Sequence, residues 1–106
     1  GPGGIKSGVG LILDLKAAHQ VTEVDLTFAK AGTGVSVYVS AGAPRSVGDL
    51  GTPVAKVTAS TSSRVPIEPP ASGRFVTLWF TSLPQVDGGF RAELAEASVV
   101  GTPAAG

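Results

Sequence analysis

Apolar residues in this chain fall on every second position, in short runs separated by glycine, proline and serine. Side chains alternate between the two faces of a strand, so this period commits each run to a sheet with one face in a core. One set is Val9, Leu11, Leu13 and Leu15; another is Val24, Leu26 and Phe28, with Glu23, Asp25 and Thr27 opposite; a third is Val35, Val37 and Val39, with Ser36, Tyr38 and Ser40 outward. Shorter runs follow at 54–59 and 64–68, and longer ones at 74–81 and 90–100. Pro66 cannot donate to a ladder and places its run at a sheet edge. Turn signals recur at about the 8–12-residue spacing of sandwiches and barrels, which predicts an all-β antiparallel sandwich of about seven strands. In this reading residues 16–21 ("KAAHQV") turn the chain back between the first two strands.

"ELAEAS" contains good helix formers but is too short to hold a helix on propensity alone, and it runs straight into "VVG". It reads as strand with a bulge. The inward set shifts from Phe90, Ala92 and Leu94 to Ala97 and Val99 across Ala95–Glu96, as one extra residue causes. Phe80, Phe90, Val76, Leu78, Leu94 and Val99 are the expected core of the last two strands. Long loops span 40–53 and 81–90, the second with the turn dipeptide Asp87-Gly88.

A chain of 106 residues is the size of one domain. Residues 1–8 read as linker or scar, 9–101 as the sandwich and 102–106 as a flexible tail. Eight basic and eight acidic residues cancel without clustering, which argues against phosphate-backbone and polybasic membrane binding. With no cysteine there is no disulfide framework and no thiolate zinc site. No apolar run approaches the ~18–20 residues of a membrane-spanning helix.

The parts of an active site are scarce. The chain has one histidine, His19, which reads as an exposed turn residue. There is no GxSxG, and no serine has an identifiable base. Glu93 and Glu96 with Arg91 resemble a glycosidase carboxylate pair less than a cross-strand ion pair on a half-exposed strand. Asp87 is a turn residue before it is a metal ligand. Neither "GTG" nor "GVG" precedes a helix, so neither is a phosphate loop. No catalysis and no cofactor are expected.

Binding is the better-supported class. Alternation in "RFVTLWFT" puts Val76, Leu78 and Phe80 on one face and Phe75, Thr77 and Trp79 on the other. That second face is either covered by a loop or a stacking platform for a ligand. The candidate ligand-binding residues are Trp79, Phe75 and Tyr38 as rings, with Arg91, Glu93 and Asp87 as polar groups. The alternative is a docking or dimerisation surface built on Phe75 and Trp79.

The segments "LILDLKAAHQVTEVDLTF", "VSVYVSAGAP", "RFVTLWFTS" and "FRAELAEASVVG" resemble discoidin, or coagulation-factor type C, domains of the galactose-binding group. That resemblance implies a galactose-binding-domain-like jelly-roll β-sandwich. It also implies calcium at Glu96, but the preceding "GGIKSGVG" offers no acidic partner for a hard cation, so no metal is expected. "TSLP…DGGFRAELAE" resembles the C-terminal extracytoplasmic domain of actinobacterial MviN-type, lipid II flippase-like, pseudokinase-containing membrane proteins. It implies a soluble, monomeric module on the cell-wall side of a membrane-spanning peptidoglycan-biosynthesis protein, with a cell-wall carbohydrate, a peptidoglycan fragment or a protein as partner and no nucleic acid.

Overall fold

The computed structural model describes residues 9–86, 89–90 and 93–104. The strands are β1 (Val9–Phe28), β2 (Thr33–Ser40), β3 (Ala55–Ala59), β4 (Ser62–Ser82), β5 (Gln85–Val86), β6 (Gly89–Phe90) and β7 (Leu94–Pro103). A single 3-10 turn, Val47–Leu50, lies between β2 and β3. Five strands form one antiparallel sheet in the order β3-β2-β4-β1-β7, and β5 and β6 form a separate hairpin.

β1 and β4 run for 20 and 21 residues, and each contributes to two layers. Residues 9–14 of β1 pair with 75–80 of β4, whose other edge pairs with β2. Residues 19–27 of β1 pair instead with 62–73 of β4 and, on their other edge, with β7. The first layer is therefore β3, β2, the second half of β4 and the first half of β1. The second layer is the first half of β4, the second half of β1, and β7. Their inner faces share one core, in which Phe28 of the second layer meets Phe80 of the first edge-on at 6.1 Å. Val24, Leu26, Val35, Val37, Val65, Ile67, Val76 and Leu78 complete it. Each such fully buried side chain contributes about 1.5–3 kcal/mol.

The corner in β1 is made locally. Lys16 has φ 73, the left-handed region that an L-residue other than glycine occupies at a cost of roughly 1–2 kcal/mol. The Asp14 carboxylate secures it, accepting from Lys16 N at 2.8 Å and, across the ladder, from Arg74 Nε and Nη2 at 2.8 and 2.9 Å. These bonds and the Arg74 charge hold the Asp14 carboxyl well below its ordinary value of 3.8. Further along, Glu23 is raised, first by its hydrogen bond with Asp25 on the same outer face and then by desolvation.

Several expectations change. Residues 16–21 do not reverse the chain; they bend it from one layer into the other, because β1 stays paired to β4 on both sides of the corner. His19 is accordingly a half-buried strand residue opposite Gly73, its Nδ1 2.7 Å from Ala17 O. The runs at 64–68 and 74–81 are one strand, and Pro66 does lie in its edge half, which pairs with β1 alone. Tyr38 faces away from the core but is 9% exposed, not a surface ring. Thr102 and Pro103, read as tail, are rungs of β7 opposite Gln20 and His19. The bulge holds: Thr27 pairs with Glu96 and Phe28 with Leu94, leaving Ala95 as the extra residue. Phe80, Val76 and Leu78 are buried and Leu94 and Val99 half-buried, while the side chain of Phe90 lies outside the described residues.

Two predictions follow from the corner. Lys16→Gly removes the left-handed cost and raises thermal stability by about 1 kcal/mol, whereas Lys16→Val lowers it. A lowered Asp14 stabilises the fold above the carboxyl's unfolded pKa, and that stability is lost as pH falls below about 4; a raised Glu23 acts oppositely, adding stability as pH falls through its folded value. Denaturant midpoints should therefore rise as Glu23 takes up its proton and fall below about pH 4 as Asp14 does. Asp14→Asn should flatten the acid limb, and Glu23→Gln should abolish the rise.

Candidate functional site

The outer face of the first layer carries the row that alternation assigned to Phe75, Thr77 and Trp79. The register sets Trp79 between Gly10 and Ser36, Thr77 between Ile12 and Tyr38, and Phe75 between Asp14 and Ser40. A bare sheet would expose this row. Instead Thr77 is 3% exposed and Ser36 and Tyr38 are buried, while Phe75 and Trp79 are half-buried.

Part of the cover is the loop after β2. Ser40 Oγ donates to Gly42 O at 2.9 Å, Asp49 N to Ser46 O at 3.1 Å and Arg45 N to Asp49 Oδ2 at 3.0 Å. Val54 N returns to Val37 O at 2.8 Å. The turn at 47–50 carries Val47 and Leu50 to the sheet.

Between loop and sheet lies a cavity of about 230 Å³. On the sheet side it is lined by Gly10, Ile12, Thr77 and Trp79, and on the loop side by Pro44, Arg45, Ser46, Val47 and Leu50. Its size is below the ~300 Å³ at which pockets begin to hold drug-sized molecules, so it suits one small group rather than an extended chain. Three features give it chemistry. The indole of Trp79 supplies an aromatic surface. The Thr77 Oγ1 is buried with no hydrogen-bond partner, a condition that costs about 1–3 kcal/mol and that a bound polar group relieves. Arg45 brings a guanidinium that, among the described residues, makes no ion pair.

Gly10 is what brings the indole down onto the sheet. A Cβ there would stand 2.7 Å from Trp79 Cε3 and 2.8 Å from the Leu78 carbonyl oxygen. The ring thus covers the gap that glycine leaves, as aromatic side chains do over strand glycines.

A second, more open cavity of about 400 Å³ lies further along the same layer, among Ser36, Lys56, Thr58, Thr81 and Ser82. It is rich in hydroxyls and lacks an aromatic wall, so it offers hydrogen bonds without a stacking surface.

Of the expected site residues that the structure describes, Trp79 alone lines the first cavity. Phe75 sits beside it under Arg74, whose guanidinium carbon is 5.1 Å from the ring centroid. Tyr38 is buried beneath the cover, next to Thr77 in the ladder. Glu93 is exposed just before β7, its carbonyl accepting from Ala29 N just after β1, so it lies at the end of the second layer. Asp87 and Arg91 lie outside the described residues. Glu96 is exposed opposite Thr27, and among the described residues no three histidine or carboxylate side chains gather to hold a metal. Alternation missed Arg45, Val47 and Ile12; the apolar Val47 and Leu50 in an otherwise small, polar loop were the available signal.

No protein-family model matches the chain, and no curated protein does. Among solved structures it is similar to CpGH89CBM32-6 produced by Clostridium perfringens, with a TM-score of 0.69 at 14% identity over 92% of this chain and 72% of the other. That similarity establishes the fold: an antiparallel jelly-roll β-sandwich of the galactose-binding-like type.

Gly10→Ala tests the wall of the cavity. Its methyl group meets an immobile carbonyl and must displace the indole, so stability should fall by about 1–3 kcal/mol. Tryptophan emission should shift to the red as the ring leaves the sheet. Unchanged emission would show that the ring does not rest on Gly10.

Proposed function

We propose that this domain is a non-catalytic glycan-binding module whose site is the cavity under the 41–53 loop. The observation that carries the reading is the pairing of an indole wall with a buried, unpartnered hydroxyl at Thr77. A sugar ring presents an apolar face to the indole and hydroxyls to Thr77, satisfying both at once. The similar Clostridium perfringens structure is, by its name, a carbohydrate-binding module, which supports the same class. The chain also lacks the thiol and the GxSxG of common nucleophiles.

The resemblance of "TSLP…DGGFRAELAE" to MviN-type domains supports a finer reading: an extracytoplasmic, cell-wall-side position in a peptidoglycan-biosynthesis membrane protein, with a wall glycan as ligand. No helix among the described residues is long and apolar enough to cross a membrane, so in this reading the spanning part belongs elsewhere in the parent chain. The docking alternative draws on Ile12 and Val47, which are 46% and 48% exposed at the cavity rim. The partly covered Phe75 and Trp79 leave it little flat surface.

Amide-shift titration of labelled protein with muropeptides, simple galactosides and calcium in turn tests the module. The expected result is saturable shifts at Ile12, Val47, Thr77 and the Trp79 indole N–H with a wall glycan. Trp79→Ala should abolish them, and Thr77→Val should weaken binding about tenfold. Silence with every glycan at millimolar concentration, with a hydrodynamic radius that grows with protein concentration, would replace the binding module with a docking domain.

A further inference from the structure

We infer that the cavity selects a saccharide carrying a carboxylate, with Arg45 as the group that reads it; this rests on the glycan-binding reading above. The argument is one of charge accounting around the cavity. Arg45 is the one charged residue among those that line it, and none of the lining residues is acidic. Asp49, four residues on in the chain, and Asp14, on the neighbouring ladder, are the carboxylates to account for, and neither makes an ion pair with Arg45. Asp14, four rungs beyond the Gly10–Trp79 pair, is held by Nε and Nη2 of Arg74 and by Lys16 N. Asp49 accepts from the backbone N–H of Arg45 at 3.0 Å and makes no ion pair with the Arg45 guanidinium. The loop is thus held by Asp49 through the backbone, and among the described residues the guanidinium of Arg45, a lining residue of this mostly apolar space, makes no ion pair.

A neutral sugar would use the indole and the Thr77 hydroxyl and leave that cation as it was. A carboxylate matches the planar fork of arginine with two parallel hydrogen bonds, and beside apolar walls such charge-assisted bonds are stronger than in open water. The small volume adds a constraint: the carboxylate must sit on the same sugar unit that stacks on Trp79, not on a distant one. A hexuronic acid and a hexosamine bearing a lactyl ether both satisfy this.

Matched pairs separate the charge from the ring. Titrations with N-acetylmuramic acid against N-acetylglucosamine, and glucuronic acid against glucose, compare sugars that differ chiefly in the carboxylate. In the wild-type protein at least one acidic member should bind about tenfold more tightly than its neutral partner, and less so as salt rises. Preference in the first pair alone identifies the lactyl carboxylate, and in both any hexose carboxylate. Arg45→Ala should bring the ratio close to one; Arg45→Lys, which keeps the charge but loses the fork, should retain only part of it. Arg45 is exposed, so both variants should fold as the parent does. Equal affinities within both pairs, or a preference that survives in Arg45→Ala, would overturn the inference and leave the glycan module standing. Absence of any sugar-dependent shift in the cavity would overturn both.

Discussion

Three donors converge on the carboxylate of Asp14, all within 2.9 Å: the backbone N–H of Lys16 and two nitrogens of Arg74. The first folds β1 back on its own next turn, and the other two fasten that turn to β4. At this corner a single strand leaves one layer and enters the other, and with it the inner faces come to oppose each other. A sheet of the same strands without the corner would have one flat surface of valines and leucines exposed to water. The unfavourable dihedral at Lys16 persists because the Asp14 bonds and the ladders on either side over-determine it.

The same corner decides what happens on the outer face. Arg74, drawn to Asp14, also lies against the Phe75 ring and occupies that end of the row. At the other end Gly10 lets the indole settle onto the sheet. Between them the loop from β2 lies over the row but leaves room beside Thr77, Trp79, Ile12 and Val47. The cavity is therefore the remainder of an incomplete cover, and its unpartnered Thr77 hydroxyl marks where that cover fails to satisfy the sheet beneath it.

Much of the sandwich was legible because burial has a period. Val24, Leu26 and Phe28, then Val35 and Val37, then Val76, Leu78 and Phe80 are inward in the structure as their spacing requires. Even the extra residue in β7 showed itself, since Leu94 and Ala97 can share a face only if one position between them is skipped. The corner at 16–18 was not legible as such. A bend between layers and a reversal between strands both interrupt the alternation with small and polar residues, and only the continued pairing of β1 with β4 tells them apart. For the same reason the runs at 64–68 and 74–81 looked separate. Prolines 69 and 70 and Gly73 break the pattern, yet the partner strand continues past them.

Of the site, the sequence by itself determined the row: Thr77 and Trp79 had to share the face opposite Val76 and Leu78, because side chains alternate along any strand. It also determined the antiparallel β class, the absence of thiol chemistry and the balance of charge. Tertiary structure alone decided that a loop ~30 residues earlier in the chain would lie over that row, that Gly10 would meet Trp79 across a ladder, and that Asp14 and Asp49 would both be engaged away from the Arg45 guanidinium. Local period sets which way a side chain points. What it meets there depends on contacts between segments far apart in the chain, and no local pattern encodes those.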